Sequence, residues 1–444
     1  MKFLERAIFI LIGVYLSQTV HATALEDYIA APDSNYSYSV VNTYSETGYT
    51  VYVIDMTSQK WRDISEVDRP LWRHWLIVVK PDTVVSNTSL LWINGGSNRG
   101  AAPTSADDAL VQIALSTHTV VSDLKMVPNE PLTFADAAGP RSEDGIVAYT
   151  FDKFLGGGDP NWPLLLPMTK SAVRAMDTIT DSLSNVTGGV LNINKFVVSG
   201  VSKRGWTTWL TAAVDSRVVA IAPAVIDVLN MDIQMKHHYS TYGFYSSAVH
   251  DYVDMNVFQR FGTPRADMLL EIVDPYEYRD RITIPKFVIN STGDQFFLPD
   301  SSQFFFDDLI GEKHLRYVPN TDHGLDASAR ESLLVFYQSI LLGVSRPRFS
   351  WTVNNNGSIT VQTTETPSQV NLWQTTNTSA RDFRLETIGP AWTSSPLVEQ
   401  ESGQYVGSVN KPSTGWTAFF IEIVYDSGTP IPYKFTTQVN VVPL

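Results

Sequence analysis

A serine just past one strand, an aspartate just past a later one and a histidine past the next would together suffice for nucleophilic hydrolysis. The segment Phe196-Val-Val-Ser-Gly-Val-Ser-Lys-Arg-Gly205 runs from an apolar strand into a turn holding Ser202, with a helical pattern starting immediately behind it. This is the setting of a nucleophile elbow, in which a tight strand–turn–helix lifts the hydroxyl above the carboxyl edge of a sheet. Gly200 gives the turn room two residues before the serine. The usual pattern has another small residue two places after it; here Arg204 stands there and Gly205 follows.

Phe287-Val-Ile-Asn-Ser-Thr-Gly-Asp294 reads as a buried strand ending in an acid, and His314-Leu-Arg-Tyr-Val-Pro-Asn-Thr-Asp-His323-Gly as the next strand ending at a histidine. Serine, acid and base therefore follow one another in the order of the α/β-hydrolases. His323 is expected to take the Ser202 proton near neutral pH, and Asp294 to orient and stabilise the imidazolium. Asp227, Asp300 and Asp322 compete for the role of acid, although Asp294 fits the strand, spacing and order best. An oxyanion hole needs two N–H donors. One is expected from Lys203; the other from Gly96 in Asn94-Gly-Gly-Ser97, which also reads as a plain tight turn.

Other constellations carry less chemistry. Gly156-Gly-Gly158 lacks the lysine and hydroxyl of a phosphate loop. His237 and His238 are adjacent and would point apart, a poor metal pair. Glu143-Asp144 could hold a substrate amine, but acids that complement a helix N-terminus explain them better. The sequence shows no metal or cofactor motif, and the absence of cysteine excludes thiol nucleophiles, thiolate metal sites and disulfides.

The elements that must position the triad alternate. Strands are expected at Val51–Ile54, Trp75–Val79, Ser89–Ile93, Thr119–Ser122, Phe196–Val198, Val218–Val225, Phe287–Ile289 and His314–Val318. Helices are expected at Ser142–Phe154 (with Ser142 as N-cap), Thr169–Leu183, Lys203–Val214 and Ala327–Leu342. Apolar strands alternating with helices predict an α/β fold with a mainly parallel sheet covered on both faces. After Arg346-Pro-Arg348 the helical period disappears. Short alternating stretches at Phe349–Val353, Ser358–Thr363, Val370–Gln374, Ala418–Val424 and Phe435–Val442 predict a small β-sandwich. The 444 residues exceed one ordinary core. The expected organisation is a signal peptide over 1–24, an α/β-hydrolase domain over 25–345 and a β-sandwich over 346–444.

The leader reading rests on basic Lys2 and Arg6, the apolar run Ala7–Leu16 and small residues at Ala22 and Ala24. That run is too short to span a bilayer comfortably, so a secreted, extracellular protein without stable membrane insertion is expected. Sequons at Asn35, Asn87, Asn185, Asn356 and Asn377 are candidates for glycosylation; a sixth, Asn290, sits in an apolar strand and is expected to stay bare. The formal charge is −14. It becomes one unit more negative without Lys2, Arg6 and Glu5, a field that repels nucleic acid.

Several longer motifs resemble the PhoPQ-activated pathogenicity-related family. They are Ser202-Lys-Arg-Gly-Trp-Thr-Thr-Trp209, Ala222-Pro-Ala-Val-Ile-Asp-Val-Leu-Asn-Met231, Pro167-Met-Thr-Lys170 with Ala175-Met-Asp177, Gly293-Asp294-Gln-Phe-Phe and Asp322-His323-Gly. In the β-rich tail, Leu372-Trp373, Ala380-Arg-Asp-Phe-Arg384 and Gly415-Trp-Thr-Ala-Phe-Phe420 resemble the same family. The resemblance implies an α/β-hydrolase fold related to the prolyl oligopeptidase and dipeptidyl peptidase group, followed by a β-sandwich. It also implies two roles that do not exclude each other. One is hydrolysis of a small peptide or ester; the other is an extracellular signal that restrains proliferation through a cell-surface receptor. The Lys203-Arg204 pair departs from typical hydrolases and fits this family.

Overall fold

The computed structural model of the chain describes residues 23–184 and 191–443. Residues 1–22, which hold most of the expected signal peptide, and the Asn185 sequon lie outside the described residues. Thr23 and Ala24, the last two positions of that segment, belong to the folded body. Thr23 caps helix α1 (Ala24–Ala30) through a reciprocal capping box with Glu26, and Leu25 is fully buried.

Among the described residues nine strands form one sheet: β1 (Ser37–Glu46), β2 (Tyr49–Lys60), β3 (Leu71–Pro81), β4 (Thr88–Ile93), β5 (Val121–Leu124), β6 (Lys195–Val201), β7 (Val218–Ala224), β8 (Lys286–Ser291) and β9 (Lys313–Val318). Their spatial order is β1-β2-β3-β5-β4-β6-β7-β8-β9. The first four neighbours pair antiparallel, and every pairing from β5 onward is parallel. The strands read as apolar throughout because both faces are covered. In β6, Phe196 and Val198 enter one core and Val197 the other; in β8, Val288 enters the first and Phe287 and Ile289 the second.

The first core is built with α3 (Asp144–Leu155), α4 (Leu165–Ser184) and α5 (Lys203–Val214). The second is built with α2 (Asp108–Thr117) and, later in the chain, α9 (Ala327–Leu342). Between β7 and β8 the chain forms α6 (Met231–Tyr242), α7 (His250–Asp254) and α8 (Pro264–Val273), which bury their apolar residues in the first core. Helix α3 departs from expectation at its start. Glu143, not Ser142, is the N-cap, with φ 52° and ψ −131° and no side-chain cap.

The rest of the chain is antiparallel. Strands β10 (Phe349–Val353), β11 (Ile359–Thr363) and β14 (Gln404–Gly407) make one small sheet. Strands β12 (Gln369–Asn377), β13 (Thr393–Pro396), β15 (Trp416–Tyr425), β16 (Tyr433–Thr436) and β17 (Asn440–Val442) make the other. The short helix α10 (Leu385–Ile388) lies between β12 and β13. The stretch expected as one strand, Phe435–Val442, is two. The Thr437 hydroxyl accepts the Ile421 N–H and breaks the ladder, so β16 and β17 pair separately with β15. Ile359 and Val361 of the first small sheet meet Leu372, Phe419 and Ile421 of the second. This core continues into the large sheet, with the Phe435 ring stacked on His314 and edge-on to Phe287.

Parallel registers bring the carboxyl ends level: Ile93 stands beside Gly200, Val201 beside Ala224, Ala224 beside Ile289 and Ser291 beside Val318. The turns after β4, β6, β8 and β9 therefore open at one edge of the sheet, where ligand sites of open α/β folds form.

Candidate active site

Ser202 joins β6 to α5 with φ 58° and ψ −130°, a backbone state that costs a non-glycine residue about 1–3 kcal/mol. Its N–H donates to Ala224 O at 2.9 Å and its carbonyl accepts from Trp206 N–H at 3.0 Å, so both sides of the turn are pinned. A Cβ at Gly200 would stand 2.7 Å from Arg204 O, and one at Gly205 2.9 Å from Gly200 O. These two glycines let α5 start hard against β6. The close approach that a small residue usually provides two places after the serine is made here by Gly205, which frees Arg204 to reach outward.

His323 and Asp294 follow β9 and β8. His323 Nδ1 lies 3.0 and 2.9 Å from the two Asp294 oxygens. A carboxylate can only accept, so Nδ1 carries the hydrogen and Nε2 keeps the lone pair. That Nε2 is buried and has no partner among the described residues. Asp294 is 3% exposed, and its Oδ1 also accepts the Phe296 N–H at 2.7 Å. The Phe296 ring covers the imidazole with centroids 4.3 Å apart, and Gln295 Oε1 accepts the His323 N–H. No hydrogen bond joins Ser202 to Nε2 in this arrangement; in free enzymes such contacts often tighten only around substrate.

The competing acids have other partners. Asp300 is buried between His237 Nε2 at 3.1 Å and Arg381 at 2.7 Å. Asp227 accepts the Tyr317 hydroxyl at 2.7 Å, and complete burial pushes its carboxyl up to about 7 despite that bond. Asp322 accepts the Gly324 N–H. His238 Nε2 accepts the Ser246 N–H, so the two adjacent histidines do point to different partners. Among the described residues no group of three or more histidines and carboxylates is placed to hold a metal.

Ser202, Lys203, Gly96 and His323 line one open cleft of about 600 Å³. Gly96 has φ +127°, and among the described residues its N–H donates to no backbone acceptor. The guanidinium of Arg204 lies directly against this turn: a Cβ at Gly95 would stand 2.6 Å from its Nη2. Arg204 also donates to Val127 O at 2.5 Å and, through both terminal nitrogens, to Glu143 at 2.7 and 2.8 Å. Lys203 Nζ lies 2.6 Å from Glu143 and 3.0 Å from Asp144. Glu143 and Asp144 are thus occupied by the two cations of the elbow. Burial would raise the Glu143 carboxyl, but Arg204 and Lys203 hold it well below the usual range. Burial and the adjacent Glu143 push Glu130, which accepts the Glu143 N–H, up to about 7. Sequence reasoning missed this linkage. The Lys-Arg and Glu-Asp pairs were its signals, but nothing local joins them, since the partners lie 61 and 74 positions from Arg204.

A solved structure of an acetyl xylan esterase from Paenibacillus sp. R4 is similar in fold, with a TM-score of 0.51 and 15% sequence identity over 72% of this chain and 91% of that one. Autocrine proliferation repressor protein A of Dictyostelium discoideum is 36% identical over 464 residues, covering 98% of this chain and 93% of that protein. Residues 25–384 match the family described as PhoPQ-activated pathogenicity-related protein. By that match over most of its length and by its relative, this chain belongs to the PhoPQ-activated pathogenicity-related family.

Proposed function

We propose that the protein is a secreted serine hydrolase that cleaves an ester or peptide bond. The observation that carries this reading is the pairing of His323 Nδ1 with Asp294, which leaves a buried, unpartnered Nε2 in the same cleft as the strained Ser202. Ser202 Oγ attacks the substrate carbonyl carbon as His323 Nε2 takes its proton. Asp294 stabilises the imidazolium, and the N–H groups of Lys203 and Gly96 receive the negative oxygen. The leaving group departs with the proton from His323, and a water activated by the same nitrogen releases the acyl group. No step calls for a cofactor. Hydrolysis of p-nitrophenyl acetate by the folded protein tests the reading: it is expected to vanish in Ser202→Ala, and equal rates in the two proteins would overturn it.

A second reading is favoured by the name of the relative that matches along 98% of the chain. In it the protein is an extracellular signal that restrains proliferation by binding a cell-surface receptor, with the hydrolase fold as scaffold. Secreted Ser202→Ala protein applied to responsive cells separates the two. Full potency supports the scaffold, and loss of potency in a folded variant supports catalysis. Secretion accords with the absence of a membrane-spanning helix among the described residues. Of the described sequons, Asn356 and Asn87 are exposed, Asn35 and Asn377 are partly covered, and Asn290 is 3% exposed. Glycans are proposed on the first four and not on Asn290.

A further inference from the structure

Besides the open cleft, Ser202 borders a second, much smaller cavity of about 40 Å³. Its walls are apolar: Trp206, Ile226, Val228, Met231, Met235 and Phe258, each no more than 8% exposed. These come from α5, from the turn after β7, from α6 and from the segment after α7, so the cavity is a built feature of four separate stretches of chain. The polar groups at its edge are already engaged. One Asp144 oxygen accepts the Tyr252 hydroxyl at 2.9 Å, and the other faces Lys203 Nζ at 3.0 Å. No free carboxylate or cation is therefore offered to an occupant.

We propose that this cavity is the acyl pocket and that it restricts the enzyme to short, uncharged acyl groups of about two to four carbons on a bulky leaving group. The assignment rests on Ser202 being the nucleophile. The side follows from proton delivery: the leaving group must lie against His323 Nε2, and His323 borders the open cleft but not the small cavity. The acyl portion is left to the other side of Ser202. The size follows from volume. A cavity needs roughly 10–15 Å³ to admit one water-sized group, so about 40 Å³ admits three or four heavy atoms. The leaving-group side, with about 600 Å³, sets no such limit.

The test is a chain-length series of p-nitrophenyl acetate, butyrate, hexanoate and octanoate, run beside fluorophosphonate labelling of the same preparation. Acetate or butyrate is expected to exceed octanoate in kcat/KM by about 100-fold or more, since even one methylene of misfit in an apolar pocket is worth roughly 10- to 200-fold. Met231→Ala and Met235→Ala, checked for retained labelling, are expected to bring hexanoate level with butyrate. The wild-type profile decides without them if they do not fold. A labelled protein with a flat or absent profile, or one that favours octanoate, overturns the pocket assignment alone. Absence of both labelling and hydrolysis overturns the serine hydrolase reading and this assignment with it.

Discussion

Replacing Arg204 by alanine removes a side chain that is 11% exposed and joins three segments: the carboxylate of Glu143, the carbonyl of Val127 and the turn at Gly95. Breaking a fully buried ion pair costs about 3–5 kcal/mol. Glu143 is 45% exposed and keeps Lys203 at 2.6 Å, so solvent and the remaining cation discount the loss to about 2 kcal/mol. The larger effect is on chemistry. Without the guanidinium packed against Gly95, the Asn94–Ser97 turn loses a close contact next to Gly96, the proposed oxyanion donor, and loss of one such donor lowers kcat by about 100- to 1,000-fold. Arg204→Ala is therefore expected to lower kcat by about 100-fold with little change in KM, and to melt a few degrees below wild type. Arg204→Lys keeps the charge but not the two-pronged geometry, and is expected to regain stability more than kcat. Steady-state kinetics on p-nitrophenyl acetate and thermal unfolding measure both. If Arg204→Ala keeps wild-type kcat and melting temperature, the positioning role is wrong.

Asp227→Asn tests the buried carboxyl. Its folded pKa of about 7 lies above the ordinary carboxylate value, so between about pH 4 and 7 the folded state holds a proton that the unfolded state has lost. The stability that Asp227 contributes thus falls as pH rises through that window, and asparagine removes the dependence. Urea unfolding should show the variant gaining on wild type by on the order of 2 kcal/mol between pH 5 and 8; a pH-independent difference would refute this. Ser202→Gly and Ser202→Ala should both be inactive, but only glycine relieves φ 58° and is expected to stabilise, by about 1 kcal/mol. Equal melting temperatures would argue against stored strain. Arg381→Ala leaves Asp300 buried with His237 and Gln303 as its side-chain partners, and calorimetry is expected to show a loss of about 3 kcal/mol.

The alternating strands and helices, the elbow and the order of Ser202, Asp294 and His323 were legible because each is a local pattern. Apolar strands covered on both faces leave continuous runs, and Gly200 marks a turn whose crowding admits no Cβ. Edges were less legible. Strand β1 (Ser37–Glu46) is largely exposed and polar, and β2 beside it is what holds it in the sheet. Ser142 was the better N-cap by type, but the Glu130 carboxylate takes the Glu143 N–H and draws that residue to the helix start. Between β7 and β8 no element is expected from the sequence, yet α6, α7 and α8 form there, with Met231 and Met235 buried in a core whose other members lie far away in sequence. The contacts of Arg204 are made to partners brought near by the fold, which no local window contains.

The proposed chemistry requires Ser202 to be an activated nucleophile. The most direct measurement is intact-mass and peptide-mapping analysis of the folded protein after reaction with a fluorophosphonate. One adduct per chain is expected, on Ser202, strongly slowed in His323→Ala and absent in Ser202→Ala. A folded protein that stays unlabelled, or one labelled elsewhere while Ser202 remains free, would contradict it.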